Sequence, residues 1–343
     1  MASVAHEGIG VRRAPKWSPE GSSTSEHGHF HDRVIAEMTR IHREITAFFE
    51  EADRGGRFVE DPWIRPGGGG GVTRVLTDGR AFEKVGVNRS TVWGKLGADV
   101  AERLGAKDAV APEMLFLATG VSVVAHPRSP MVPIVHLNVR YFELRDPGGG
   151  LADAWFGGGT DLTPTYPFPD DAVHFHRSLK RICGAHHPAF YARFKPWCDR
   201  YFVNRHRRDE MRGVGGIFYD NLRSGEEVGL DREGLLDFTA DVGGCLPEAY
   251  APILTRRRGM RYGKEERNFQ LLRRGRYAEF NLVHDRGTRF GLQTSARAES
   301  VLMSLPPLVR WGYGESFPED SFQARLLAML TPRDWVDGPE PGT

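Results

Sequence analysis

Cysteine is scarce in this chain: Cys183, Cys198 and Cys245 are the only three in 343 residues, and no two fall in a CxxC or CxxxCxxC spacing. That excludes a thiolate-held iron–sulfur cluster or zinc knuckle and leaves no basis for a secreted disulfide framework. Long apolar runs are missing too, none approaching the ~20 residues that cross a bilayer as a helix. The N-terminus lacks the apolar core of a secretory signal, and its early acidic residues argue against a transit peptide, so a cytoplasmic protein is expected. Neither sign of charge is in excess, with 46 basic residues against 45 acidic ones. Without a basic stripe or an acidic tail, no nucleic-acid partner is expected. The glycine run at 67–71 has neither GxGxxG nor GxxxxGK[ST] spacing and precedes a strand pattern, which argues against a phosphate loop.

What is present is a globular composition long enough for a substantial core in about one to two domains. Residues 1–30 are rich in Ser, Gly, Pro and His with no apolar period, and predict a disordered tail in which His27, His29 and His31 are solvated. An amphipathic helix follows, with Val34, Met38, Ile41, Ile45, Phe48 and Phe49 on one face. Strand patterns at 72–76 and 81–87 flank Asp78-Gly79, a hairpin dipeptide. Further strands are expected at 119–125, 134–142, 213–220, 276–283 and 289–294, and helices from 170, from 189, over 235–254, 298–305 and 321–330. Strands come in groups between blocks of helices, without βαβ alternation. The fold class predicted is α+β, one domain with a largely antiparallel sheet over 31–337 and a short tail at 338–343.

The stretch 134–166 carries the most unusual chemistry. Val135, Leu137, Val139 and Tyr141 alternate with His136, Asn138, Arg140 and Phe142, so one strand face presents an imidazole, an amide and a guanidinium in succession. That set suits an anion. Asp161 follows three glycines, which lack the Cβ that would block a ligand's approach; a tight turn with a turn-stabilising Asp is the plainer reading. Arginine far outnumbers lysine, and Arg140, Arg276, Arg286, Arg289, Arg297 and Arg310 form a set suited to forked carboxylate recognition or to a structural ion-pair network. Four histidines stand in unusual settings: His126 at a strand end, His136 mid-strand, His176 on an apolar helix face and His206 after a helix. Together they would suit a divalent metal, while singly each reads as a hydrogen-bonded core histidine.

The segments GVSVVAHP, HLNVRYFE, WFGGGTDLTPTY, DAVHFHR, KPWCDRYF, RGVGGIFYD, RRGRYAEFNLVHDRGTRFGLQT and ESVLMSLPPLVRW occur in that order over 34–336. In this the chain resembles the oxygen-dependent coproporphyrinogen III oxidases. The resemblance implies a large antiparallel sheet sandwiched between helices, and a homodimer whose contact segment maps to 277–311. It implies oxidative decarboxylation of the ring A and ring B propionates of coproporphyrinogen III to vinyl groups. The product is protoporphyrinogen IX in haem biosynthesis, with O2 as acceptor, CO2 and H2O2 released, and no organic cofactor. By family motif the substrate contacts are Ser122, Asn138, Val139, Arg140, Ser295, Ala296 and Arg297. His136 takes the proton-donor role, and Asp161 and Arg286 serve binding and catalysis, Asp161 as an acceptor for the pyrrole N–H groups. Bacterial members are described with a divalent-metal site, which maps to His126, His136, His176 and His206 and for which Mn2+ is the expected ion; eukaryotic members are described as working without one. Ser295-Ala296 depart from the Gly-Gly of bacterial relatives, which leaves Arg297 the firmest of those three assignments. A tetrapyrrole-binding protein without turnover is the alternative. A histidine-based metallohydrolase is a poorer one, because no carboxylate base lies at a recognised spacing.

Overall fold

Residues 26–96, 114–225, 228–293 and 297–338 are described by the computed structural model. Six segments pair with their neighbours in chain order: β1 (Val59–Ile64), β2 (Gly69–Thr77), β3 (Phe82–Lys95), β4 (Leu115–Pro127), β5 (Ile134–Arg145) and β6 (Leu151–Thr163). A ribbon of β7 (Val203–Asn204) and β8 (Glu210–Met211) intervenes before β9 (Gly215–Leu222), which pairs with β6 and closes a seven-stranded, wholly antiparallel sheet. Side chains alternate between the faces of a strand, and the burial follows. Val121, Val123, Leu137, Val139, Tyr141, Ile217 and Tyr219 are buried on one face, whereas Ser122, His136, Asn138 and Arg140 are half-buried on the other.

The apolar face is covered by α1 (Glu26–Asp53), whose Val34, Met38, Ile41, Ile45 and Phe49 recur at helical spacing, and by α2 (Pro169–His186) and α4 (Arg232–Gly243). Between the last two, α3 (Phe190–Tyr201) lies along β9. It sends Phe190 and Phe194 into the main core and Cys198, with the following Phe202, to the opposite face, and so protects an otherwise unpaired sheet edge. Short helices α5 (Leu246–Ala249) and α6 (Ala251–Arg257) lead to α7 (Lys264–Glu279), a π-turn (Phe280–His284), α8 (Arg286–Gln293) and α9 (Ala298–Leu302), which lie over parts of the polar face; α10 (Phe322–Met329) follows.

The α+β class and the antiparallel sheet agree with expectation, but three local readings do not. Helix α1 begins at Glu26, inside the stretch read as a tail, and Phe30 and His31 are buried; residues 1–25 and 339–343 lie outside the described set. The glycines before Asp161 form no turn: β6 runs straight through them. Residues 276–293 are helical rather than two strands. The period-two pattern misled there because the inward stripe of α7 is partly polar. Buried Gln270 and Arg274 both donate to the Pro127 carbonyl, and Arg274 pairs with buried Glu83 at 2.5 Å.

The packing of α1 makes stability depend on pH. His42 is 4% exposed, and burial, assisted by the charges of Arg74 and Arg89, lowers its pKa to about 4. The unfolded chain binds a proton at an ordinary histidine pKa while the folded chain does not, so the stability contributed by the neutral ring is lost as pH falls from about 6.5 towards 4. The unfolding free energy from urea titrations is expected to drop across that window by up to about 1.4 kcal/mol per pH unit, and His42→Gln should flatten the slope. An unchanged slope in the variant would remove His42 from the account.

Candidate active site

Directly opposed residues in neighbouring strands share a face, so the register lays out the polar floor in rows. One row runs Asp61, Thr73, Asn88, Ser122, Asn138, Gly159, Phe218 from β1 to β9. Beside it run Gly86, Val124, His136, Asp161, Gly216 and, on the other flank, Gly71, Ser90, Gly120, Arg140, Gly157. Small residues dominate, which makes the floor flat. A Cβ at Gly157 would lie 2.8 Å from the Arg140 guanidinium, and Gly159, at φ +154°, would place one 2.3 Å from the Ile217 carbonyl. These positions suit glycine because β9 and Arg140 lie directly against them.

The only carboxylate in the His136 row is Asp161. His136 Nδ1–H donates to Asp161 Oδ1 at 2.8 Å, and Arg212 Nη2 donates to both carboxylate oxygens at 2.7 and 2.8 Å. Burial alone would raise the Asp161 pKa, but the Arg212 charge and the His136 hydrogen bond outweigh it and hold the carboxyl below its usual range. Arg212 is buried, with its guanidinium 4.1, 4.5 and 4.8 Å from the ring centres of Phe202, Tyr277 and Phe280. Its Nη1 donates to Asn281 at 2.9 Å from the π-turn, whose i−5 bond from Asp285 N to the Phe280 carbonyl marks the extra residue. Asp161 is 1% exposed and His136 20%, so the group presented to the open face is the imidazole, with its Nε2 outward-facing and the carboxylate behind it.

Around this centre Arg140 lies flat on Gly157, donating to Asn138 Oδ1 at 2.6 Å and pairing with Asp220 at 2.9 Å. Burial works against its charge, but Asp220 raises its pKa overall. Arg286, at the start of α8, reaches the other oxygen of Asp220 at 3.8 Å. The helix is started there because Asp285 accepts from the Thr288 amide at 2.7 Å. At the opposite end of the floor Arg297 pairs with Asp61 at 2.5 Å. Four strand spacings separate Asp61 from Asn138, roughly 19 Å at ~4.8 Å each.

Most of the sequence-predicted site residues therefore meet on one face: Ser122, His136, Asn138, Arg140, Asp161, Arg286 and, at its far edge, Arg297. Val139 does not. Its side chain is buried on the helix-covered face, as strand alternation requires, and only its backbone belongs to the floor strand. Asp161 is not presented as an acceptor for ring N–H groups, since both oxygens are engaged inside the protein. Ser295 and Ala296 lie outside the described residues. Arg212 and Asp220 went unassigned; both stand in RGVGGIFYD, and the signal was an arginine and an aspartate bracketing a glycine-rich, otherwise apolar strand.

The four histidines do not converge on a common ion. His176 Nε2–H donates to the Val214 carbonyl at 3.0 Å and its Nδ1 faces Tyr191 Oη at 2.9 Å. His206 is taken up by His284 at 2.7 Å and Glu279 at 3.1 Å. His126 Nε2–H donates to the Ser304 carbonyl at 2.9 Å and leaves Nδ1 buried without a hydrogen-bond partner among the described residues. Among the described residues no group of three or more His, Cys, Asp or Glu side chains is arranged to hold a metal. In this geometry the donor set does not fit a single shared metal.

An antiparallel sheet face, covered in part by Ser300 and Met303, with an imidazole–carboxylate–guanidinium relay in its floor and arginines at both ends places the chain among α+β enzymes that carry their site on a sheet surface. A family model described as Coproporphyrinogen III oxidase matches residues 33–335. A protein of Synechococcus sp. (strain CC9605) named oxygen-dependent coproporphyrinogen-III oxidase is 45% identical, over 97% of this chain and 93% of its own length. One of the same name from Synechococcus sp. (strain CC9902) is 47% identical over 90% of this chain and 88% of its own. The Arabidopsis thaliana protein named coproporphyrinogen-III oxidase 1, chloroplastic, is 44% identical over 95% and 83%. The chain belongs to the coproporphyrinogen III oxidase family.

Proposed function

We propose that this protein converts coproporphyrinogen III to protoporphyrinogen IX with molecular oxygen as acceptor. Each of the two propionates on rings A and B loses CO2 together with the hydrogen equivalents of its neighbouring carbon. One O2 takes up each electron pair and its protons to leave as H2O2. The observation that carries the reading is the His136–Asp161–Arg212 relay at the floor of a flat face flanked by Arg140 and Arg286 on one side and Arg297 on the other. A macrocycle laid on the glycine-rich floor would place its carboxylates at those arginines. His136 then turns Nε2, the nitrogen not bonded to Asp161, to the ring for proton transfer, kept in that orientation by Asp161, while Arg212 fixes the carboxylate. Positive charge that develops as electrons leave the macrocycle is balanced by the ionised Asp161 close below it.

No organic cofactor is needed, because an electron-rich porphyrinogen reacts with oxygen directly. A divalent ion such as Mn2+ has no role in the steps written here. Equal activity of fully chelated and metal-loaded protein is the expected result, and metal-dependent turnover would overturn it. Mixing purified protein with coproporphyrinogen III without oxygen should give binding but no product. Admitting oxygen should then release CO2 and H2O2 and produce vinyl-bearing porphyrin. Product formed anaerobically would exclude the reaction, and binding without turnover in oxygen would make the protein a tetrapyrrole carrier.

A homodimer is part of the same reading. It is supported by exposed Leu282, Val283, Leu292, Leu308 and Trp311, all within the expected contact segment 277–311. Sedimentation at assay concentration should give twice the chain mass, and a monomer would remove this part. No helix among the described residues is long and apolar enough to cross a membrane. A cytoplasmic location and the absence of a nucleic-acid partner complete the proposal; recovery of the protein with membranes on cell fractionation would contradict the first.

A further inference from the structure

Asp220 stands between two arginines that come from different parts of the chain, Arg140 in mid-β5 and Arg286 at the start of α8. Its Oδ1 pairs with Arg140 Nη2 at 2.9 Å and its Oδ2 with Arg286 Nη2 at 3.8 Å. The backbone is shaped to put it there. In the β6–β9 ladder Phe156 opposes Leu222 and Gly158 opposes Tyr219, so Asp220 and Asn221 together face the single residue Gly157. That is a β-bulge, and the second of its two residues, Asn221, takes φ +51° while its amide donates to Asp220 Oδ1 at 3.0 Å. Gly157 leaves the space in which the Arg140 guanidinium lies flat and meets this carboxylate. The nearest carboxylate in sequence to Arg286, Asp285, is turned away: it accepts from Tyr201 Oη at 3.0 Å and from Thr288 and makes no ion pair with either arginine among the described residues.

Two guanidiniums against one carboxylate leave a single positive charge for a ligand. We propose that Asp220 is a specificity-determining residue that limits this subsite to one substrate carboxylate and disfavours macrocycles that carry two on the pyrrole ring presented to it. This rests on the reading that Arg140 and Arg286 receive a substrate carboxylate. One ligand carboxylate fits opposite Asp220, shared by the two arginines, and neutralises the cluster. A second one meets the fixed negative charge of Asp220 with no cation left to balance it, which is discrimination by repulsion. The side chain is 19% exposed, so solvent screens that repulsion only in part.

The test uses oxidised porphyrins as non-reacting probes, one with four and one with eight carboxylates, titrated into the full-length protein by fluorescence. Wild type should prefer the tetracarboxylate. Asp220→Asn, which keeps the shape and an acceptor oxygen, should shrink that preference by about fivefold or more through tighter octacarboxylate binding, and steepen the salt dependence of binding. Arg286→Gln, a change at a largely exposed side chain, removes one cation and should sharpen the preference while weakening both probes. Combining the two changes restores one net positive charge and should return the preference towards wild type. An unchanged preference in Asp220→Asn would overturn the proposal, as would a double variant no closer to wild type than Asp220→Asn itself. Arg140→Gln separates the two levels: if it leaves tetracarboxylate binding unaltered, the carboxylate-subsite reading fails, whereas weakened binding together with an inert Asp220→Asn sinks only the role of Asp220.

Discussion

Asp161→Asn is expected to lower kcat about 10³-fold while changing the substrate dissociation constant by less than about threefold. The asymmetry follows from the geometry. The arginines that would hold substrate carboxylates pair with Asp220 and Asp61, not with Asp161, so binding has other supports. The chemistry does not. The carboxylate accepts from His136 Nδ1–H at 2.8 Å and so leaves Nε2 as the nitrogen that faces the site. An amide in its place offers N–H as readily as C=O, which permits the wrong tautomer. It also leaves the Arg212 charge uncompensated at 2.7 Å from the same oxygen position, opposing positive charge on the ring or on a ligand above it. The pH profile of the residual activity should shift as well, which a merely loosened fold would not produce. Retention of a third or more of wild-type kcat would remove Asp161 from the mechanism.

Arg212→Met should destabilise the folded protein by about 3–5 kcal/mol, the usual consequence of removing one partner of a buried ion pair. Arg212 and Asp161 are 2% and 1% exposed, so neither charge can recover its solvation when the other is lost. The methionine fills the space between Phe202, Tyr277 and Phe280 but forfeits the cation–ring attraction, a further loss of up to about 2 kcal/mol. The double variant Arg212→Met/Asp161→Asn removes both charges and should recover much of the lost stability, with activity still abolished. Denaturant midpoints with parallel turnover assays decide this. If the double variant is as unstable as the sum of the singles, the pair is not the source of the effect. If it regains activity, the relay has no part in the reaction.

Much of this site is legible in the sequence, because a strand displays its chemistry in a period of two. His136, Asn138 and Arg140 fall on one face of any extended chain, and Val139 falls on the other, whatever the strand packs against. Local alternation likewise made β4 and β5 predictable, the glycine-rich apolar run at 213–220 gave β9, and the Asp78-Gly79 dipeptide placed the β2–β3 hairpin. Residues 276–293 resisted the same reading. The helix that runs into them, α7, buries Arg274 and Gln270, and burial of charge depends on partners such as Glu83 and Pro127 that lie far away in sequence. The family resemblance rested on runs of sequence and named His136, Asp161, Arg140 and Arg286, but it said nothing of how their charges are balanced.

That balance is the work of the tertiary structure. Asp161 became a positioning carboxylate rather than an exposed acceptor because Arg212, brought in by the turn after β8, reaches it from behind. Arg140 and Arg286, 146 positions apart, share Asp220 because a bulge in β9 turns the chain beside Gly157. The four histidines, attractive as a set on paper, separated into different hydrogen-bond environments. By itself the sequence determined strands β2 to β5 and β9, the polar face and the family, all of which depend on local patterning or on contiguous motifs. Which charges face each other was decided only by the fold, because Coulomb and hydrogen-bond partners are chosen by distance in space, and strand register and helix placement set those distances.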